Sequence, residues 1–152
     1  CAMFSGGGSG SSNGMKEQLD KVNPIPDIAK HPAKNPDAIS LIQAAFDARA
    51  KTIPQPPTFL RAYANANDWA VDRNENTGII TGRDVQGELF YKGGKSGWCR
   101  MEHVSLHQDN QGGNKWGPAT ASTMGQMGPQ ALLTMGFHVD CAEVQALPPD
   151  PS

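Results

Sequence analysis

The chain has 152 residues, 38% of them hydrophobic and 18% charged, with 17 Gly and 12 Pro; this is enough for one domain with a core, weighted toward turns and sheet, and it excludes a long helical bundle. The 13 Lys and Arg against 15 Asp and Glu leave a formal charge of −2 with the signs interspersed, so the cationic stripe that tracks a phosphate backbone is missing and nucleic acid is not an expected partner. No apolar run approaches the roughly 20 residues that cross a bilayer as a helix.

The chain starts Cys1-Ala2-Met3-Phe4, and Ser5 to Gly14 is then Gly and Ser apart from Asn13. Such a segment buries no apolar area and behaves as a flexible tether with an r.m.s. span of about 20 Å. This beginning resembles that of mature bacterial lipoproteins, in which an N-terminal cysteine is acylated. The resemblance covers Cys1 and the tether only. It implies lipidation of Cys1, palmitate included, and attachment to the periplasmic face of the cell outer membrane, with Ala2 rather than an acidic residue fitting outer-membrane sorting. Each buried acyl CH₂ contributes about 0.8 kcal/mol, so several chains hold a protein to the membrane durably. An engineered linker would have the same composition as the tether.

Residues 15–34 are polar and contain Pro24, Pro26 and Pro32, which remove backbone donors and restrict the residues before them. The expectation is an extended segment lying along the domain or a partner, with a short helix over Met15 to Val22 weakly encoded. Asn35-Pro36-Asp37 then combines a capping side chain, a proline where its missing N–H costs nothing, and an acid at the positive helix end. A helix is expected to about Ala50, with Ile39, Ile42, Ala45 and Phe46 on its apolar face. Pro54, Pro56 and Pro57 end it, and 58–67 carries no decisive pattern.

From Asp68 the punctuation is that of an antiparallel meander. Trp69 and Val71 alternate with polar neighbours, Asn74 to Gly78 is rich in turn formers, and Ile79 to Lys92 is a long strand, so the two read as a hairpin. Ile79, Val85, Leu89 and Tyr91 share one parity, and Gly82 and Gly87 mark expected bulges or bends. Gly93 to Gly97 makes the next turn into a strand from Trp98 to Gln108. There Cys99 and Met101 hold one parity and Val104 and Leu106 the other, which a bulge near Glu102 would reconcile. Residues 109–120 read as an exposed loop with Trp116 as an anchor. A short helix or strand over Gln130 to Met135, a strand from Phe137 to Val144, and a proline-rich tail complete the chain.

Cys99 and Cys141 both fall on apolar positions, and in an oxidising compartment they are expected to join. The bridge would close a loop of about 43 residues, worth roughly 4 kcal/mol on the chain-entropy model. Separate buried thiols are the alternative. His103 and His107 are four residues apart, which on a helix would aim both at one metal ion. On a strand they share a face but stand about 13 Å apart, too far to do so. Neither a metal nor another cofactor is therefore expected, and Arg83, Asp84, Arg100 and Glu102 read as cross-strand pairs rather than an acid–base site.

The expected fold is α+β: one main helix on a curved antiparallel sheet of four or five strands, an element order similar to the cystatin and NTF2-like arrangements. The expected organisation is an anchor and tether at 1–14, an extended segment at 15–34, one domain at 35–146 and a tail at 147–152. Two functions fit. One is an outer-membrane lipoprotein serving as a structural or interaction subunit of a cell-envelope assembly, such as a secretion-type outer-membrane complex, with the membrane and other envelope proteins as partners. The other is a periplasm-facing ligand-binding or enzymatic domain with a pocket between helix and sheet, lined by Trp69, Tyr91, Trp98 and Met101. Trp69, Tyr91, Trp98 and Trp116 are the candidate ligand or partner contacts, and no catalytic residue stands out.

Overall fold

In the computed structural model the described residues are 20–113, 115–123, 132–134 and 136–148. Cys1, the tether, residues 15–19 of the weakly encoded helix over Met15 to Val22, half of the 130–135 element and the end of the tail lie outside them. The elements run α1 (Asp27–Lys30), α2 (Pro36–Ala50), β1 (Thr58–Ala64), β2 (Ala70–Arg73), β3 (Ile80–Lys92), β4 (Cys99–Asp109), β5 (Thr120–Thr123), β6 (Phe137–Val139) and α3 (Cys141–Gln145). The class is α+β, with one open antiparallel sheet of six strands rather than four or five.

The helix α2 begins where its capping chemistry places it. The Asn35 side chain accepts from the Ala38 N–H, and Pro36 occupies the first turn. Its Ala38, Ile39, Ile42, Phe46 and Ala50 are buried, and burying side chains the size of Ile42 or Phe46 contributes about 1.5–3 kcal/mol each.

Two long central strands, β3 and β4, organise the sheet, in unbroken register from Lys92↔Cys99 to Gly82↔Asp109. The outer edge of β3 is shared by β1, beside residues 87–92, and β2, beside 80–84. The outer edge of β4 is shared by β6, beside 99–101, and β5, beside 104–107. The unassigned stretch 58–67 thus contains β1. The hairpin of β2 and β3 forms as the turn residues demand, with Asn74 N–H bonded to the Ile79 carbonyl.

The expected bulge near Glu102 is absent, and the two parities of β4 have another cause. Both sheet faces are covered, by different elements. On one face α2 packs against Ala62, Ala64, Val85, Leu89, Tyr91, Val104 and Leu106. On the other, Tyr63, Phe90, Cys99, Met101 and Val139 pack with Ile25 and Ala29 from the N-terminal segment and Val144 and Leu147 from the C-terminal one. Cys99 and Met101 serve the second core, Val104 and Leu106 the first. The fold consequently begins before Asn35: Ala33 bridges Ala64, Lys34 N–H donates to Asn67 Oδ1, and Asp20 holds Arg100 at 3.0 Å. It also reaches Pro148, whose carbonyl accepts from the Tyr63 hydroxyl.

Gly87 is likewise no bulge. A Cβ there would collide with the Tyr63 carbonyl and lie 2.7 Å from Ile42 Cδ1, so the glycine is a notch that lets α2 approach the sheet. The register shift in the hairpin falls beside Gly82, between Asp72 and Arg73, leaving Thr81 as the extra residue. The strand expected over Phe137 to Val144 stops at Val139, because the Asp140 side chain accepts from Ala142 N–H and caps α3.

Candidate functional site

The four aromatic residues singled out in the sequence do not converge. Trp69 and Trp116 meet at one end of the sheet, on either side of Arg83, whose guanidinium carbon lies 4.0 Å from the Trp69 ring centroid and 4.4 Å from that of Trp116. Arg83 Nε donates to Gln108 Oε1 at 2.9 Å, and Gln108 donates on to the Gly117 carbonyl. A delocalised cation between two indole faces is a favourable cation–π arrangement that fixes the loop carrying Trp116.

Tyr91 and Trp98 lie at the other end, about eight residues along β3, or roughly 26 Å away at strand rise. They border a cleft of about 560 Å³ with Asp20, Lys95, Arg100 and Leu133. Trp98 stacks on His138, with ring centroids 4.3 Å apart. Met101 cannot join this cleft, since it belongs to the opposite core. The pocket expected from Trp69, Tyr91, Trp98 and Met101 together is therefore not formed.

Arg83, Asp84, Arg100 and Glu102 are dispersed as well. Glu102 is fully buried under α2, where it accepts from the Tyr91 hydroxyl at 3.0 Å, the Thr123 hydroxyl at 2.5 Å and the Leu133 N–H at 2.8 Å. Leu133 holds this position at φ 70, a left-handed conformation costly for a leucine and sustained by its surroundings. Burial, then the Glu102 charge, raises the Tyr91 pKa far above the ordinary tyrosine range. The pair acts as a buried neutral-donor and carboxylate clamp joining β3, β4, β5 and residue 133.

The chemistry that the sequence did not expose lies on the opposite face, beyond the second core. Because β3 and β4 pair in continuous register, Glu88 stands across from His103 and Asp84 across from His107. Glu88, with its side chain 2% exposed, lies 2.6 Å from His103 Nδ1 and accepts from Asn65 Nδ2 at 3.2 Å. His103 is 38% exposed. Its pKa is raised, first by the hydrogen bond to Glu88. This imidazole is held through one nitrogen by a buried carboxylate, which orients the ring toward solvent.

His107 is held through both nitrogens, Nδ1 at 2.7 Å from Asp84 and Nε2 at 2.8 Å from Asp109. Those two contacts raise its pKa, the one to Asp109 foremost. The ring lies over Gly82, where a Cβ would meet His107 Cε1 at 2.9 Å. Asp72 on β2 completes the group, and its pKa is raised chiefly by a hydrogen bond shared with Asp84. Beside Asp84 a cleft of about 470 Å³ opens, bordered by Asn65, Asp68, Gln86 and Ser105. The two histidines thus serve separate carboxylates and share no ligand position, as strand spacing requires.

Cys99 and Cys141 form a disulfide with Cα atoms 5.2 Å apart, tying the start of β4 to α3 within the second core. Cys141 sits in the first turn of a helix, not on a strand. No helix among the described residues is long and apolar enough to cross a membrane. No family model, curated protein or solved structure matches this chain. Fold and site define an α+β domain with a disulfide, two cores across one sheet and an acidic, imidazole-bearing outer face.

Proposed function

We propose that this protein is an interaction subunit of a cell-envelope assembly, held at the periplasmic face of the outer membrane through a lipid on Cys1. The observation that carries the proposal is the β2–β3 hairpin. All four residues of β2 are exposed, and the hairpin presents Val71 at 45% and Ile79 at 64% exposure. Uncovered β-branched side chains on an edge strand and its turn cost solubility and favour a surface that a partner covers. Beside them the Trp69–Arg83–Trp116 stack offers rigid aromatic and guanidinium groups, the residue types that anchor protein interfaces. The disulfide supports an oxidising compartment.

The test is to extract the native protein in mild detergent and size it. A large co-eluting complex that dissociates in the Val71→Ser/Ile79→Ser double variant is expected. A lone species of about the 16.2 kDa chain mass plus detergent would refute the reading. Palmitate incorporation that persists unchanged in Cys1→Ala would refute the anchor. A second reading, a ligand-binding domain, has one observation in its favour: Trp98 borders a cleft with Lys95 and the Asp20–Arg100 pair, whose net positive charge suits an anionic aromatic ligand.

A further inference from the structure

We infer that Asp72, Asp84 and His107 form a binding site for a divalent transition-metal ion such as Zn²⁺, joining β2 to β3 and β4. One carboxylate oxygen from each aspartate and one imidazole nitrogen lie within 4.8 Å of one another. Two ligand atoms on one Zn²⁺ are at most about 4.4 Å apart, given metal–ligand distances of about 2.0–2.2 Å. The spread closes with a small rotation of Asp72, whose side chain is exposed.

The group is more than a run of acids, because its donors come from three strands and include an imidazole. One nitrogen of His107 faces Asp84, while the other is held by Asp109. That is the arrangement by which proteins orient a metal-binding histidine: the ring nitrogen away from the ion donates to a carboxylate, which fixes the tautomer and strengthens the ligand. Asp109 is therefore a positioning residue here. Gly82 leaves the room in which the ring lies.

Asp72 pairs with Gly82 and Asp84 stands across from His107, which brings two carboxylates from adjacent strands to one point, where like charges repel and a cation between them is favourable. An imidazole nitrogen with two carboxylates is a mixed donor set, which favours zinc-like ions over calcium or magnesium. On binding, the ion takes the place of the proton on His107 Nδ1, which leaves to solvent; the metal keeps its charge and no redox step is involved. Three protein ligands leave a coordination position for water or a partner's side chain.

The site does not depend on the envelope reading, and its test is separate from complex formation. The full chain, freed of metal by chelation, is equilibrated by dialysis against Zn²⁺ alone and its bound metal counted, with Co²⁺ as the spectroscopic probe. One equivalent is expected, with Co²⁺ absorption of four- or five-coordinate type. His107→Gln and Asp84→Asn should weaken binding at least tenfold while keeping the wild-type circular dichroism, and His103→Gln should bind as wild type. Asp109→Asn should bind with a smaller loss, several-fold. Failure of the wild-type chain to retain stoichiometric metal would overturn the assignment, as would equal binding by wild type and His107→Gln. Equal weakening by His103→Gln and His107→Gln would place the ion elsewhere and overturn it too.

Discussion

Removing the Cys99–Cys141 bridge by the paired Cys99→Ala/Cys141→Ala substitution should cost this domain much of its stability. The two residues are separated by 42 positions. On the chain-entropy model such a cross-link removes about 13 cal/mol/K from the unfolded ensemble, or about 4 kcal/mol at 25 °C. A domain of this size is stable by about 5–15 kcal/mol in total, so the loss is a large share. The bridge also joins the opening residue of β4, opposite Val139, to α3, which carries Val144 into the second core. Without it, α3 and Leu147 keep their apolar packing and, among the described residues, the bonds from Arg61 and Tyr63 to the Gln145 and Pro148 carbonyls. Guanidinium unfolding followed by tryptophan fluorescence measures the difference, comparing oxidised wild type with the double variant. Both midpoint and slope need fitting, since an uncross-linked chain unfolds to a more expanded state. A loss near 4 kcal/mol is expected. A loss below about 1 kcal/mol would refute the view that the bridge staples two distant segments of the fold.

Glu102→Ala removes the acceptor for the Tyr91 hydroxyl and the Leu133 N–H; a loss of about 3 kcal/mol or more in the same unfolding assay is expected. In the wild type, phenolate absorbance on alkaline titration should show no Tyr91 ionisation in the ordinary tyrosine range, because burial and the Glu102 charge both oppose it. Gly87→Ala places a methyl against Ile42 Cδ1 and the Tyr63 carbonyl, backbone included, and should destabilise by about 1–3 kcal/mol despite being the mildest substitution available. His103 has its pKa raised above the ordinary histidine value of about 6.5 by its hydrogen bond to Glu88. The pairing therefore contributes fully below about pH 6.5, the unfolded value, and is lost as pH rises through the folded one. Histidine NMR titration should show the His103 midpoint above 6.5 and returning toward it in Glu88→Gln; an unchanged midpoint would contradict the contact.

Local chemistry made parts of this fold legible. Asn35 and Pro36 encode the start of α2 through their own side chains, and Asn74 to Gly78 encode the hairpin turn, so both read correctly without knowledge of distant partners. The cysteine pairing was anticipated, yet Cys141 reaches Cys99 from the first turn of a helix and not from the strand position expected for it. Strand β1 was not, because Ala62, Tyr63 and Ala64 are strand residues only by virtue of β3 beside them and a core on each face. The two parities of β4 misled for the same reason: Cys99 with Met101, and Val104 with Leu106, report two cores rather than a bulge. The helix α3 carried a signal in Asp140 followed three residues later by Glu143, a capping pattern obscured by the apolar alternation before it. The imidazole–carboxylate pairs turned on register. Beginning β4 at Cys99, opposite Lys92, sets Glu88 against His103 and Asp84 against His107, whereas a strand begun at Trp98 shifts every pair by one residue and turns those side chains to opposite faces.

The partner surface proposed for this protein is the exposed edge formed by the β2–β3 hairpin. A photo-reactive amino acid placed at Ile79 in the native host, with Asp47 on the exposed side of α2 as the control position, tests it most directly. One discrete adduct with another envelope protein is expected from position 79 and none from position 47. Adducts from position 47 with none from position 79, or no adduct from either, would contradict it.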